Sequence, residues 1–118
     1  MRRVPWVMAA VLGWTFLNPL AAVAGSVYDI TIEKDSFAFK PHDLSIHVGD
    51  TVRWTNKDGQ LHMVVTAKPD SNGKELEIYT RLDPQASPVF EHQFATPASY
   101  FYYCAIHFQM WGVIAVNP

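Results

Sequence analysis

Three metal-seeking donors fall within seven residues near the C-terminal end of the chain: Cys104, His107 and Met110, in the pattern C-x2-H-x2-M. An aromatic, strand-like run (residues 100–103) precedes them, and a short apolar run (residues 112–116) follows. The chain must therefore fold so that a short loop between two strand ends carries all three donors. Cys104 is the only cysteine. A lone cysteine forms no internal disulfide, although small exported domains often rely on them. An unpaired cysteine of this kind pairs between chains, performs chemistry, or sits buried as an inert apolar side chain. The imidazole and thioether at these spacings favour metal ligation.

A thiolate, imidazoles and a weak thioether are the ligand set of a copper electron-transfer site, which takes two histidines and one cysteine in a plane and a long axial methionine. The local stretch supplies three of the four. The best source of the second imidazole is His62, just after the polar loop Asn56-Lys57-Asp58-Gly59-Gln60. His62 alone reads more readily as a satisfied loop histidine, and the Asn56-x-Asp58-x3-His62 context reverses this. Met110 also fits a core methionine filling an apolar gap. His42, His47 and His92 have no donor partner at a recognisable spacing and are read as surface or strand-face residues.

The remaining pattern is that of strands. Tyr28, Ile30 and Ile32 alternate with polar residues, as do Leu44, Ile46 and Val48, the period of a half-buried strand. Gly49-Asp50 is a turn, and Val52 and Trp54 continue beyond it, so residues 44–56 are expected to form a hairpin. Strands are also expected over residues 62–67, around Val89, Phe90 and Phe94, over 99–104 and over 112–116. The run Tyr100-Phe101-Tyr102-Tyr103 is expected to pack on both faces. Residues 68–88 read as irregular, with 75–79 a short strand or a helical turn. Several short strands separated by turn signals predict an all-β sandwich or barrel.

Two segments together resemble the cupredoxin family of type 1 blue copper proteins: Asn56-x-Asp58-x3-His62-x-Val64 and Tyr102-x-Cys104-x2-His107-x2-Met110-x-Gly112. Phe39-x-Pro41, with Val48-Gly49-Asp50-Thr51-Val52-x-Trp54, is similar to the family's opening strands. The likeness runs from about Val27 to Val116, and the short ligand loop is closer to the amicyanin and pseudoazurin branches than to plastocyanin. The resemblance implies a cupredoxin-like Greek-key β-sandwich with one copper held by His62, Cys104, His107 and Met110. It implies that Asn56 ties the ligand loops together. It further implies a non-enzymatic one-electron carrier, with redox partner proteins docking transiently near His107. Copper trafficking or tolerance is the alternative. Met63 is a departure, because relatives often carry a polar residue after the first histidine. It reads as packing rather than as a second thioether ligand. Phe108 stands where some relatives have proline. Phe108, Ile106 and Trp111 are expected to contribute an apolar rim around the His107 edge.

The beginning of the chain has a different character. Arg2-Arg3, an apolar stretch and Ala22-Val23-Ala24 read as a signal peptide over residues 1–24, leaving a single domain over 25–118 and a periplasmic product. The apolar run is broken by Asn18 and Pro19, short of the ~20 residues of a spanning helix. Loss of Arg2 and Arg3 leaves seven Lys+Arg against eleven Asp+Glu. With no basic run, nucleic acid and anionic membrane surfaces are poor partners. A monomer is expected.

Overall fold

The structure, a computed structural model, describes residues 25–118. The expected signal peptide, residues 1–24, lies outside the described residues. Eight strands follow in order: β1 (Val27–Ile32), β2 (Asp43–His47), β3 (Thr51–Asn56), β4 (His62–Ala67), β5 (Leu76–Leu82), β6 (Val89–Gln93), β7 (Ala98–Tyr103) and β8 (Trp111–Asn117). They form a three-stranded sheet, β1-β3-β6, and a five-stranded sheet, β2-β8-β7-β4-β5. β1 runs parallel to β3, and β2 parallel to β8. The other ladders are antiparallel. This is the expected all-β Greek-key sandwich.

Alternation decides which side chains face inward. Ile30, Ile32, Ile46, Val52, Trp54, Ile114 and Val116 are all buried between the sheets. Aromatic contacts join the two layers. Trp54 of β3 meets Tyr102 of β7 edge-on with ring centroids 5.5 Å apart, and Phe39 meets the same tyrosine at 4.8 Å. Such pairs add roughly 0.5–1.5 kcal/mol each beyond the area they bury.

Three local expectations are corrected or resolved. Residues 44–56 are not a hairpin: β2 pairs with β8, and β3 pairs with β1 and β6. Residues 48–50 instead carry the chain from one sheet to the other. Val48 N–H goes to Asn117, and Gly49 N–H to Phe94. The Asp50 carboxylate accepts the N–H groups of Ser26 and His47 at 2.9 and 2.8 Å. Gly49 supplies the positive φ of 96° that this corner requires. The run 100–103 does not pack on both faces. Tyr100 and Tyr102 are buried, but Phe101 and Tyr103 lie on the outer face, 55% and 37% exposed, where Phe101 stacks on Trp111 at 5.2 Å. Of residues 75–79, all but Glu75 belong to strand β5, which pairs along β4 with a register irregularity at Thr66/Ala67. His42 and His47 are exposed, and His92 is half-buried against Glu77 at 3.0 Å.

This topology gathers strand ends at one pole. His62 opens β4, Cys104 follows β7 directly, and Met110 directly precedes β8. Because β4 and β8 flank β7, the donors reach one place through neighbouring strands.

Candidate metal centre

His62 is the first residue of a central strand buried from His62 to Thr66. The loop before it is held by its own side chains. Asn56 Nδ2 donates to the carbonyls of Gln60 and Leu82, both at 2.8 Å, and Asn56 Oδ1 accepts Asp58 N–H at 2.8 Å. Asn56 therefore ties the His62 loop to the end of β5, not to the loop of Cys104 as expected. Its partner Leu82 pairs with His62 in the β4–β5 ladder, whereas β7 lies on the other side of β4. The bond between the two donor segments comes from Met63, whose backbone N–H donates to Cys104 Sγ at 3.4 Å. The Met63 side chain itself packs into the core, 7% exposed.

The second segment closes on itself. Cys104 N–H donates to Met110 O at 3.0 Å, and Met110 N–H to His107 O at 2.9 Å. Cys104 and Met110 are fully buried, and His107 is half-buried. His62 Nδ1 stands 4.0 Å and His107 Nδ1 3.8 Å from Cys104 Sγ. One donor atom from each of these three residues lies within 4.8 Å of the others. Around them, Ile106 is 44% and Phe108 83% exposed. Trp111 is exposed too, but its ring is engaged by Phe101 and by His42, 4.2 Å away.

Asp58 was named in the sequence pattern without a role. Its Oδ2 accepts from His62 Nε2 at 2.8 Å, and both residues are buried. That bond places the proton on Nε2 and leaves the Nδ1 lone pair facing the sulfur. The other oxygen, Oδ1, accepts N–H groups of Asp35 and Gly59 at 3.2 and 2.9 Å. The His62 hydrogen bond, with these two backbone donors, holds the Asp58 carboxyl below its usual range against the opposing effect of burial. An acid four residues before a histidine was the only signal available in sequence. Phe37, which contacts both imidazole rings, gave none.

A family model described as "Copper binding proteins, plastocyanin/azurin family" matches residues 26–117. The chain belongs to this family. A plastocyanin from Synechococcus sp. (strain JA-2-3B'a(2-13)) is 31% identical to this cupredoxin over 115 residues, covering 90% of this chain and 83% of that one. Among solved structures, a purple cupredoxin from Nitrosopumilus maritimus is 29% identical with a TM-score of 0.63, over 76% of this chain and 99% of that one. Amicyanin from Paracoccus versutus shares the fold at 23% identity and a TM-score of 0.63, over 77% and 81% of the two chains.

The residues of this cupredoxin fit a copper ion. One buried sulfur and two imidazole Nδ1 atoms converge. The sulfur already accepts a backbone N–H, as a thiolate does, and one imidazole has its tautomer set by a carboxylate. This is a soft, nitrogen- and sulfur-rich donor set suited to copper. Among the described residues, no helix is long and apolar enough to cross a membrane.

Proposed function

We propose that this cupredoxin is a one-electron carrier whose copper is held by His62, Cys104, His107 and Met110. The observation that carries the reading is the convergence of three buried or half-buried donor atoms within 4.8 Å of one another, at the meeting point of β4, β7 and β8. Copper held by these residues would supply the one-electron Cu(II)/Cu(I) chemistry. The protein contributes rigidity. Cys104 is held by the Met63 N–H, His62 by Asp58, and the Cys104–Met110 segment by its own two backbone hydrogen bonds. Donors that move little keep the reorganisation accompanying electron transfer small. Met110, buried directly before β8, would supply the thioether donor.

Of the two donor imidazoles His107 is the one nearer the surface, and exposed Ile106 and Phe108 flank it in the loop. A small apolar rim suits brief encounters with redox partners, and the electron passes through the His107 edge. We assign the carrier to the periplasm as an exported monomer, on the signal-like character of residues 1–24 and its kinship with plastocyanin. Copper trafficking had one hint in its favour, a second thioether at Met63, and that side chain is packed in the core.

Visible absorption and EPR of the Cu(II)-loaded protein, beside Cys104→Ala, test the assignment. Intense thiolate-to-copper absorption with narrow hyperfine splitting, lost in the variant, is the expected result. A pale complex unchanged by the substitution contradicts it.

A further inference from the structure

We propose that Phe37 is a positioning residue that braces the His107 imidazole, doing for that ring what Asp58 does for His62. This rests on the ligand assignment above. The two histidines are held in different ways. His62 Nε2 has a buried carboxylate partner at 2.8 Å. Among the described residues, His107 has no side-chain hydrogen bond at Nε2, and its recorded contact is between Nδ1 and Cys104 Sγ at 3.8 Å. Its orientation must come from packing. Phe37 supplies it: the two ring centroids are 5.1 Å apart at 67°, an edge-to-face contact. The same phenyl ring meets His62 at 6.0 Å and 80°, and the two imidazoles are 4.9 Å apart. Three rings thus lean on one another, and only Phe37 comes from outside the donor set.

The backbone that presents this ring is strained. Phe37 has φ of 49° and Asp35 φ of 60°, a left-handed conformation that is an outlier for a bulky aromatic residue. Such strain persists where surrounding contacts overdetermine it, and it gathers at functional sites. Those contacts are present. Thr31 and Lys40 exchange two backbone hydrogen bonds of 2.8 Å at the base of the loop. Ser36 N–H and Oγ both donate to Glu33 O. Asp35 N–H donates to Asp58 Oδ1, and the other oxygen of that carboxylate holds His62. Asp58 therefore locks the Phe37 loop and the His62 ring to one anchor. A filler of the same cavity would need neither the strained backbone nor the shared carboxylate.

The test compares Phe37→Leu, which keeps apolar bulk without the ring, with Phe37→Tyr, which keeps the ring. Urea unfolding identifies folded variants. NMR of the copper-free protein then reads the His107 ring protons, and stopped-flow chelation reads copper release. In Phe37→Leu the His107 resonances should lose their ring-current shift and broaden. Copper release should accelerate roughly two- to tenfold, the factor that one edge contact is worth. Phe37→Tyr should restore both readouts. Unchanged His107 resonances in a folded Phe37→Leu protein, or a tyrosine variant that behaves like the leucine one, overturns the proposal. If the unmodified protein shows no thiolate-to-copper absorption, the ligand assignment fails by itself. The His107 resonances then decide the brace alone.

Discussion

Asp58 governs a large share of the site with a single side chain. One oxygen serves His62 and the other serves two backbone donors, so truncation leaves three N–H groups short of their partner. Of the three, the His62 N–H is the buried one, and orphaning it costs about 1–3 kcal/mol. Asp58→Ala should lower the urea midpoint of the copper-free protein by at least one such loss. It should also weaken copper binding about 10- to 100-fold, the usual effect of losing the partner of a ligating histidine. Competition titration with a Cu(I) chelator measures the second effect. Asp58→Asn keeps an acceptor in place and should fall between. A variant that binds copper as tightly as the unmodified protein contradicts the role given to Asp58. The donors themselves were legible in the sequence because Cys104, His107 and Met110 are close in the chain and chemically distinctive. Asp58 was visible only as part of a spacing, since sharing its two oxygens between a histidine and a distant loop is a fact of three dimensions. Phe37 was illegible for the same reason: its ring reaches the site through a left-handed backbone that no residue type announces.

At the level of strands, alternation gave Ile30, Ile32, Ile46, Val52 and Trp54 correctly as inward residues but not Val48, which is 41% exposed, nor the partners of the strands. A period of two says which face is buried and nothing about which strand lies alongside. That is why the β2–β3 turn read as a hairpin when it is a corner between sheets. The corner depends on Asp50, whose carboxyl is held below its ordinary value of 3.8 by the backbone N–H groups of His47 and Ser26, with burial opposing. A carboxyl depressed in the folded state stabilises the fold above its unfolded value, and that stabilisation is lost as pH falls through the folded one. Asp50→Asn should therefore melt below the unmodified protein at about pH 7, and the gap should close in acid below the ordinary carboxylate range. A gap independent of pH would show that shape rather than charge matters there. β8 carries a second dependence. A Cβ on Gly112 would stand 2.6 Å from the Tyr102 hydroxyl and 2.8 Å from His42 O. Gly112→Ala should cost about 1–3 kcal/mol by urea unfolding, as overpacking does. Adding Tyr102→Phe should recover only a small part of it, because the ring carbon Cζ, 2.7 Å from that Cβ, stays in place when the hydroxyl goes. The outward Phe101 and Tyr103 were misread because an unbroken aromatic run conceals the alternation that polar residues would have revealed.

On the proposed reading, the molecule as a whole separates the residues that would hold copper from those that would meet a partner. The donors sit at the meeting point of strands, while the exposed loop residues Ile106 and Phe108 surround His107 in sequence and contribute little burial. The separation can be tested at Phe108, at 83% the most exposed large apolar side chain among the described residues. Phe108→Asp removes an apolar contact surface and adds a charge, but it takes almost nothing from the core. Surface changes of this kind usually stay within about 0.5 kcal/mol of the parent stability. Melting temperature, thiolate absorption and EPR should match those of the unmodified protein. The rate of bimolecular electron exchange with another cupredoxin, followed by stopped-flow absorption, should fall, because a buried charge in a small apolar interface carries a desolvation cost. The control is Tyr79→Asp on β5, at another exposed aromatic outside the ligand loop, which should leave the rate unchanged. If Tyr79→Asp slows exchange and Phe108→Asp does not, electrons enter through the sheet face and the His107 pole is not the docking surface.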